Sequence, residues 1–262
     1  MSSHVWGQFG TYSNLSVWLT QHMSPVGVFE MIAVLGMMFG GVAVFIPQYF
    51  TIVTSRNSEG FSTHTCLLLL LSNIARLFFW YLVHFELPLL CQSIIVIVGM
   101  LFLQEVCVRY RPKRHLAYRD IRLSDCDPDS FWKWSYFSDY IGFLFLYCCL
   151  LYVITELFKD SVFYVEALGF AALCGEASLA LPQLITNYQR RSTKGLNFVT
   201  ICLMLCGDCF KTLYFLVRHA PRQFYICSTL QVSIDIGILL QFALYSSSRT
   251  SSFDDKDLKV VF

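Results

Sequence analysis

Charged residues are scarce in this sequence. Asp, Glu, Lys and Arg make up 14% of the 262 residues, and hydrophobic residues make up 56%. A soluble domain carries about 25% charged residues, because its surface must face water. The shortage of charge therefore excludes an ordinary soluble domain and indicates that much of the surface faces lipid.

Several other features are missing as well. Residues 1–25 contain no Lys or Arg, so the basic start of a secretory signal is absent. No basic run is long enough to indicate a nucleic-acid partner. No catalytic triad, phosphate-binding loop or zinc-ligand spacing is present, which predicts no enzyme, no cofactor and no metal site. The 11 cysteines lie mostly inside apolar runs, where they are expected to be small core side chains without a disulfide framework.

Long apolar segments are what the sequence has in abundance. A membrane-spanning helix needs about 20 mostly apolar residues. The sequence therefore predicts an all-α membrane protein with seven transmembrane helices. The predicted spans are 26–48, 61–83, 88–108, 137–158, 163–185, 197–217 and 224–246.

The distribution of Lys and Arg predicts the orientation of these helices. If the N-terminus is outside, the inner segments hold 14 of these residues and the outer segments hold 3. Because Lys and Arg collect on the cytosolic side, we expect a lumenal N-terminus and a cytosolic C-terminus. Asn14, in the sequon Asn14-Leu15-Ser16, lies in the tail predicted outside and is a candidate glycosylation site.

An internal repeat relates two parts of the chain at an offset of 135 residues. Segment 47–60 reads PQYFTIVTSRNSEG and segment 182–195 reads PQLITNYQRRSTKG. Within the helices that follow, the same offset pairs Asn73 with Asp208 and Arg76 with Lys211. Identical and similar polar residues at one fixed offset inside apolar helices indicate a duplicated unit.

The repeat predicts how the seven helices are organised. Helices 1–3 and 5–7 form two parallel three-helix bundles, and helix 4 links them, because three spans reverse the direction of the chain. Parallel repeats of this kind are a transporter architecture. The predicted regions are a lumenal tail (1–25), the first repeat (26–108), a basic cytosolic loop (109–136), the linker helix (137–158), the second repeat (163–246) and a cytosolic tail (247–262).

Pro-Gln at the inner end of helices 1 and 5, followed by a short polar loop that ends in Gly, resembles the PQ-loop family. Segment 127–140, DPDSFWKWSYFSDY, narrows the resemblance to one subfamily of solute carrier family 66. The family includes lysosomal amino acid exporters and is related in fold to the SWEET sugar transporters. The subfamily is similar to fungal proteins tied to phospholipid asymmetry and endosome-to-Golgi traffic.

The matched prolines are the first candidate site residues. Pro47 and Pro182 each remove a backbone donor near a helix end, and each is followed by a glutamine, Gln48 or Gln183. In transporters of the fold that the chain resembles, such prolines let a helix bend during gating. The alternative is that each proline simply ends its helix.

Polar residues deep in the spans are the second set of candidates, because a charge in the membrane is costly unless it is paired or hydrated. The predicted pathway places Asn73 and Arg76 of the first repeat opposite Asp208 and Lys211 of the second. Two alternatives remain: Asp208 and Lys211 form a local ion pair, or Arg76 extends outward to the interface. The candidate proton acceptors are Asp208, Glu176 and Asp235.

The resemblance and the residues leave three functions open. The first is phospholipid translocation between leaflets in endosomes and the trans-Golgi network, with membrane lipids as partners. The second is proton-coupled transport of an amino acid or similar small solute. The third is a seven-helix receptor, against which the repeat argues. Tyr118-Arg119-Asp120-Ile121 also fits a tyrosine-based signal for a sorting adaptor.

Overall fold

We describe the protein from a computed structural model, in which residues 25–58, 61–111, 121–125, 131–193 and 198–257 are described. Over these ranges the chain is helical. The α-helices are α1 (Pro25–Ala43), α2 (Ile46–Ser55), α3 (Thr63–Val83), α4 (Leu87–Arg109), α5 (Phe137–Phe158), α6 (Val162–Ala177), α7 (Leu181–Arg190), α8 (Phe198–Val217) and α9 (Arg222–Asp257). Asn14 and residues 118–120 of the predicted sorting signal lie outside the described residues.

Seven helical stretches in the described part of the chain are long and apolar enough to cross a membrane. This confirms the predicted number of spans. Two stretches run further than predicted: the first covers Glu30–Ser55 and the fifth covers Val162–Arg190. Each of these consists of two helices, α1 with α2 and α6 with α7.

The matched prolines lie at the breaks inside these two long spans. Pro47 is in the first turn of α2, and Pro182 is in the first turn of α7, directly after a 3-10 turn at Ser178–Ala180. A proline interrupts a helix that precedes it but suits the first turn of the next one. Each proline therefore follows the end of one helix and begins another, so that its span consists of two helices.

The repeat is visible in the backbone as well as in the sequence. Arg56 and Arg191 both follow a short helix with φ 49° and ψ 34°, and they are 135 residues apart. His84 and His219, separated by the same offset, both have φ 50°. Positive φ is uncommon for residues other than glycine. Two matched pairs show that the duplication includes these turns.

The helices pack in two sets that are joined through α3 and α6. Helices α1 and α3 pack on α4, helices α6 and α8 pack on α9, and α3 packs along α6 to join the two sets. By contrast, α1 touches α8 at few points, and α5 makes smaller contacts with α3 and α4. The division into two three-helix bundles and a linker helix stays a prediction.

The segment before α5 is anchored by aromatic side chains. Trp132 and Trp134 are buried and pack against Tyr140 with ring centroids 4.8 and 5.0 Å away. The indole nitrogen of Trp132 donates a hydrogen bond of 2.8 Å to the Thr63 carbonyl oxygen. These contacts tie the segment to the start of α3 within the main hydrophobic core.

Candidate functional site

Three charged side chains from three helices meet between the two repeats. Arg76 on α3 donates from Nη2 to Glu176 Oε2 at 2.5 Å, and Lys211 on α8 donates from Nζ to Glu176 Oε1 at 2.6 Å. Glu176 lies in the last turn of α6. The side chains are 1%, 15% and 13% exposed for Arg76, Glu176 and Lys211. We call these three residues the ionic triad.

The repeat explains why the two cations converge. Arg76 and Lys211 occupy equivalent positions, 135 residues apart, on the second helix of each predicted unit. The carboxylate breaks this symmetry, because the residue equivalent to Glu176 in the first repeat is Gly41. One carboxylate thus serves a cation from each repeat and joins the two halves of the molecule.

The ionic triad has one more positive charge than negative charge. A buried ion pair is tolerated only when its groups are well paired and hydrogen-bonded. The Arg76 guanidinium also lies 5.8 Å from the ring centroid of Phe224, where the ring face attracts a cation. Arg76 Nε is nevertheless buried without a hydrogen-bond partner. The surplus positive charge of the triad would attract an anionic group.

The structure brings together only part of the predicted pathway. Lys211 pairs with Glu176 on another helix, and no ion pair joins it to Asp208 within the described part of the chain. Arg76 is buried and paired, so it does not extend outward to the interface. Both of those alternatives are wrong. Asn73 is buried and donates 2.9 Å to the Leu69 carbonyl oxygen of its own helix.

Asp208 instead meets a second carboxyl group. The side chain of Asp235 on α9 is 2% exposed and lies within hydrogen-bonding reach of Asp208 on α8. Asp235 Oδ2 is buried and has no partner. Two ionised carboxylates close together repel each other. Two of the three candidate proton acceptors thus form one pair, separate from Glu176.

The two Pro-Gln pairs begin α2 and α7. Gln48 is half-buried, and Gln183 is exposed and donates 2.7 Å to Asn187 Oδ1 one turn further on. Asn187 is buried, and its Nδ2 has no hydrogen-bond partner. The Pro-Gln pairs therefore lie at the breaks in the spans, whereas the charged side chains of the candidate site belong to the ionic triad.

The central role of Glu176 was not predicted. The sequence marked it as a candidate proton acceptor, but not as the partner of both cations. One signal was available, namely a lone carboxylate at a repeat position where the other unit has glycine. In the described ranges, no three His, Cys, Asp or Glu side chains lie together in an arrangement that could hold a metal ion.

Comparisons with known proteins agree with this architecture. The sequence model of the PQ loop repeat matches residues 31–89 and 164–224. Scramblase ANY1 of Saccharomyces cerevisiae is 22% identical, and the match covers 72% of this chain and 64% of that relative's length. A solved structure of a eukaryotic SWEET transporter is 16% identical with a TM-score of 0.57 and covers 82% of this chain and 98% of its own. The likeness to that transporter shows the fold alone.

The two matched stretches enclose the same structural features. Each contains a span divided at a Pro-Gln pair, a left-handed residue after the short helix, and one cation of the ionic triad. The chain thus carries two matches to the PQ loop repeat and is similar to the proteins of that family.

Proposed function

We propose that this protein moves phospholipids between the two leaflets of a membrane without an energy source. The observation that carries the proposal is the ionic triad, which places a surplus positive charge between the two repeats at a depth where the surroundings are apolar. The relative from yeast that is named a scramblase supports the same class of activity.

The chemistry of a phospholipid fits such a site. Its phosphate is an anion, and Arg and Lys side chains bind phosphate through charge-assisted hydrogen bonds. Lys211 is partly exposed, so its ammonium group can donate to a phosphate oxygen, and the buried guanidinium of Arg76 adds positive charge beside it. The acyl chains stay in the bilayer while the headgroup passes, so no closed cavity for the whole lipid is required.

The test is leaflet exchange of a fluorescent phospholipid in liposomes that contain the purified protein. A membrane-impermeant quencher is added outside, with no ATP and no ion gradient. We expect quenching well beyond the outer leaflet for the wild type and a return to the level of protein-free liposomes for Lys211→Ala. Lys159→Ala is the matched control, because Lys159 pairs with Glu156 in an exposed position. Quenching that stops at the outer leaflet with the wild type would refute the proposal.

A second candidate function is proton-coupled transport of an amino acid or a similar small solute. The observation that favours it is the Asp208–Asp235 pair, in which a buried carboxylate oxygen has no partner. The same vesicles are tested for amino acid uptake driven by a pH gradient. Uptake that Asp208→Asn abolishes, together with no leaflet exchange, would favour this function over the first.

The proposed location is the endosome and trans-Golgi system, with the N-terminus in the lumen and the C-terminus in the cytosol. The charge distribution supports this orientation, and segment 118–121 supports recognition by a sorting adaptor. Epitope tags at the two termini, stained after selective permeabilisation of the plasma membrane, test the orientation. A C-terminal tag that stays inaccessible would contradict it.

A further inference from the structure

The two contact surfaces between the repeats differ, although the repeat makes them equivalent. Helix α3 packs closely along α6, and the repeat-related pair is α8 and α1, which touch at few points. At the close contact, a methyl group added to Gly175 would lie 1.7 Å from Ser72 Oγ. We call the α3–α6 contact the closed seam and the α1–α8 contact the open seam.

The repeat identifies the residues of the open seam that correspond to this close contact. Gly175 corresponds to Gly40 on α1, and Ser72 corresponds to Gly207 on α8. A methyl group added at either Gly40 or Gly207 would meet no atom within 4 Å. Two glycines would permit a contact at least as close as that of the closed seam, yet here space separates them.

The open seam is held together at the end that includes Glu30. Arg218, just after α8, pairs at 3.0 Å with Glu30 on α1 and at 3.0 Å with Glu86 before α4. One turn before Gly40, a methyl group added to Gly36 would lie 3.8 Å from the Phe210 ring on α8. The helices therefore meet between Glu30 and Gly36 and have separated by Gly40. The result is a wedge that widens toward α2.

We infer that this wedge is a lateral portal through which a phospholipid headgroup passes between the bilayer and the space between the repeats. The inference rests on the proposed function and names the route that the lipid takes. Since α1 and α8 are both membrane spans, the wedge opens toward lipid. Because the wedge lies in the hydrocarbon region, lipid molecules of the surrounding bilayer fill it.

The chemistry around the wedge fits an amphipathic occupant. Its rim is apolar, with Phe39 50% exposed on α1 and Leu203 68% exposed on α8. Lys211, one turn beyond Gly207 on α8, belongs to the positively charged ionic triad. An apolar rim and a cation at the narrow end of the wedge complement acyl chains and a phosphate, respectively. A small solute from water would not require an apolar rim.

The test fills the wedge with a large side chain, either from α8 or from α1. Gly207→Trp and Gly40→Trp place a large side chain in open space, so both variants are expected to fold, as monodisperse elution in detergent would show. Cys209→Trp is the matched control, because Cys209 is exposed, two residues along α8 and about 200° around the helix. We expect leaflet exchange to fall to the level of protein-free liposomes in the two glycine variants and to stay at the wild-type rate in the control.

A second measurement does not depend on transport. Phe39→Trp introduces a fluorophore at the rim, and a phospholipid with a nitroxide on its headgroup quenches tryptophan only at short range. We expect stronger quenching, relative to the native tryptophans, for Phe39→Trp than for Cys209→Trp, because a headgroup at this depth must lie inside the wedge.

The two measurements separate the portal from the proposed function. If the wild type exchanges lipid and the glycine variants do so equally fast, the portal is refuted and the proposed function stands. If the wild type exchanges no lipid, the proposed function fails; stronger quenching at position 39 then still supports a headgroup in the wedge. Equal quenching at both positions would refute the portal in either case.

Discussion

Glu176→Gln is the substitution with the largest predicted effect on stability. It keeps the shape of the side chain but removes the negative charge that Arg76 and Lys211 share. Removal of one partner from a buried ion pair costs about 3–5 kcal/mol, because the remaining charge is left uncompensated. At about 2–4 °C per kcal/mol for a chain of this size, the Tm in detergent should fall by roughly 6–20 °C.

Two further variants test whether the loss of stability comes from the uncompensated buried charge. Glu166→Gln, in the more exposed pair with Arg222, should change stability by about 0–1 kcal/mol. The triple variant Arg76→Met, Glu176→Met, Lys211→Met removes all three charges, and its stability should equal or exceed that of the wild type, because apolar replacement of a buried ionic cluster is often neutral or stabilising. The triple variant should nevertheless lose leaflet exchange.

The assay is thermal unfolding followed by intrinsic fluorescence, paired with leaflet exchange on the same preparations. A Tm for Glu176→Gln within a degree or two of the wild-type Tm would refute the prediction, because it would mean that the triad contributes little to stability. The prediction is also refuted if the triple variant exchanges lipid at the wild-type rate.

Three other predictions concern packing, protonation and the helix break. Gly175→Ala forces a methyl group against Ser72 and should lower stability by about 1–3 kcal/mol in thermal unfolding. Gly40→Ala meets no atom and should raise stability by up to about 1 kcal/mol, because alanine is the better helix former. Asp235→Asn removes one carboxylate of a close pair; leaflet exchange should persist, and any uptake driven by a pH gradient should be lost. Pro182→Ala restores a backbone donor and makes α6 and α7 more nearly continuous, so hydrogen exchange around residues 178–182 should slow and leaflet exchange should fall.

The seven spans could be predicted because each contains a mostly apolar run of sufficient length. The first and fifth spans were predicted too short, since polar residues after Pro47 and Pro182 suggested that the helix had left the membrane. In the structure these residues form α2 and α7. Hydropathy records where a chain turns polar, but it does not record that a proline can begin a second helix.

The candidate site could be predicted only in part. The repeat identified Arg76 and Lys211 as equivalent cations inside the membrane, but it did not identify their shared partner. Which side chains meet across helices depends on how closely the helices approach, and α3 and α6 approach closely at Ser72 and Gly175. Such a contact between distant segments leaves no periodic signal in the sequence.

The two helix breaks also have a consequence for the bilayer around the protein. Because proline has no N–H group, the carbonyl oxygens of Ala43 and Ser178 lack the donor that a continuous helix would supply from Pro47 and Pro182. Hydrocarbon cannot satisfy a bare carbonyl oxygen. In the second repeat the Leu181 N–H donates to the Ser178 carbonyl oxygen instead, within the 3-10 turn. That break can therefore lie inside the hydrocarbon layer without drawing water to it.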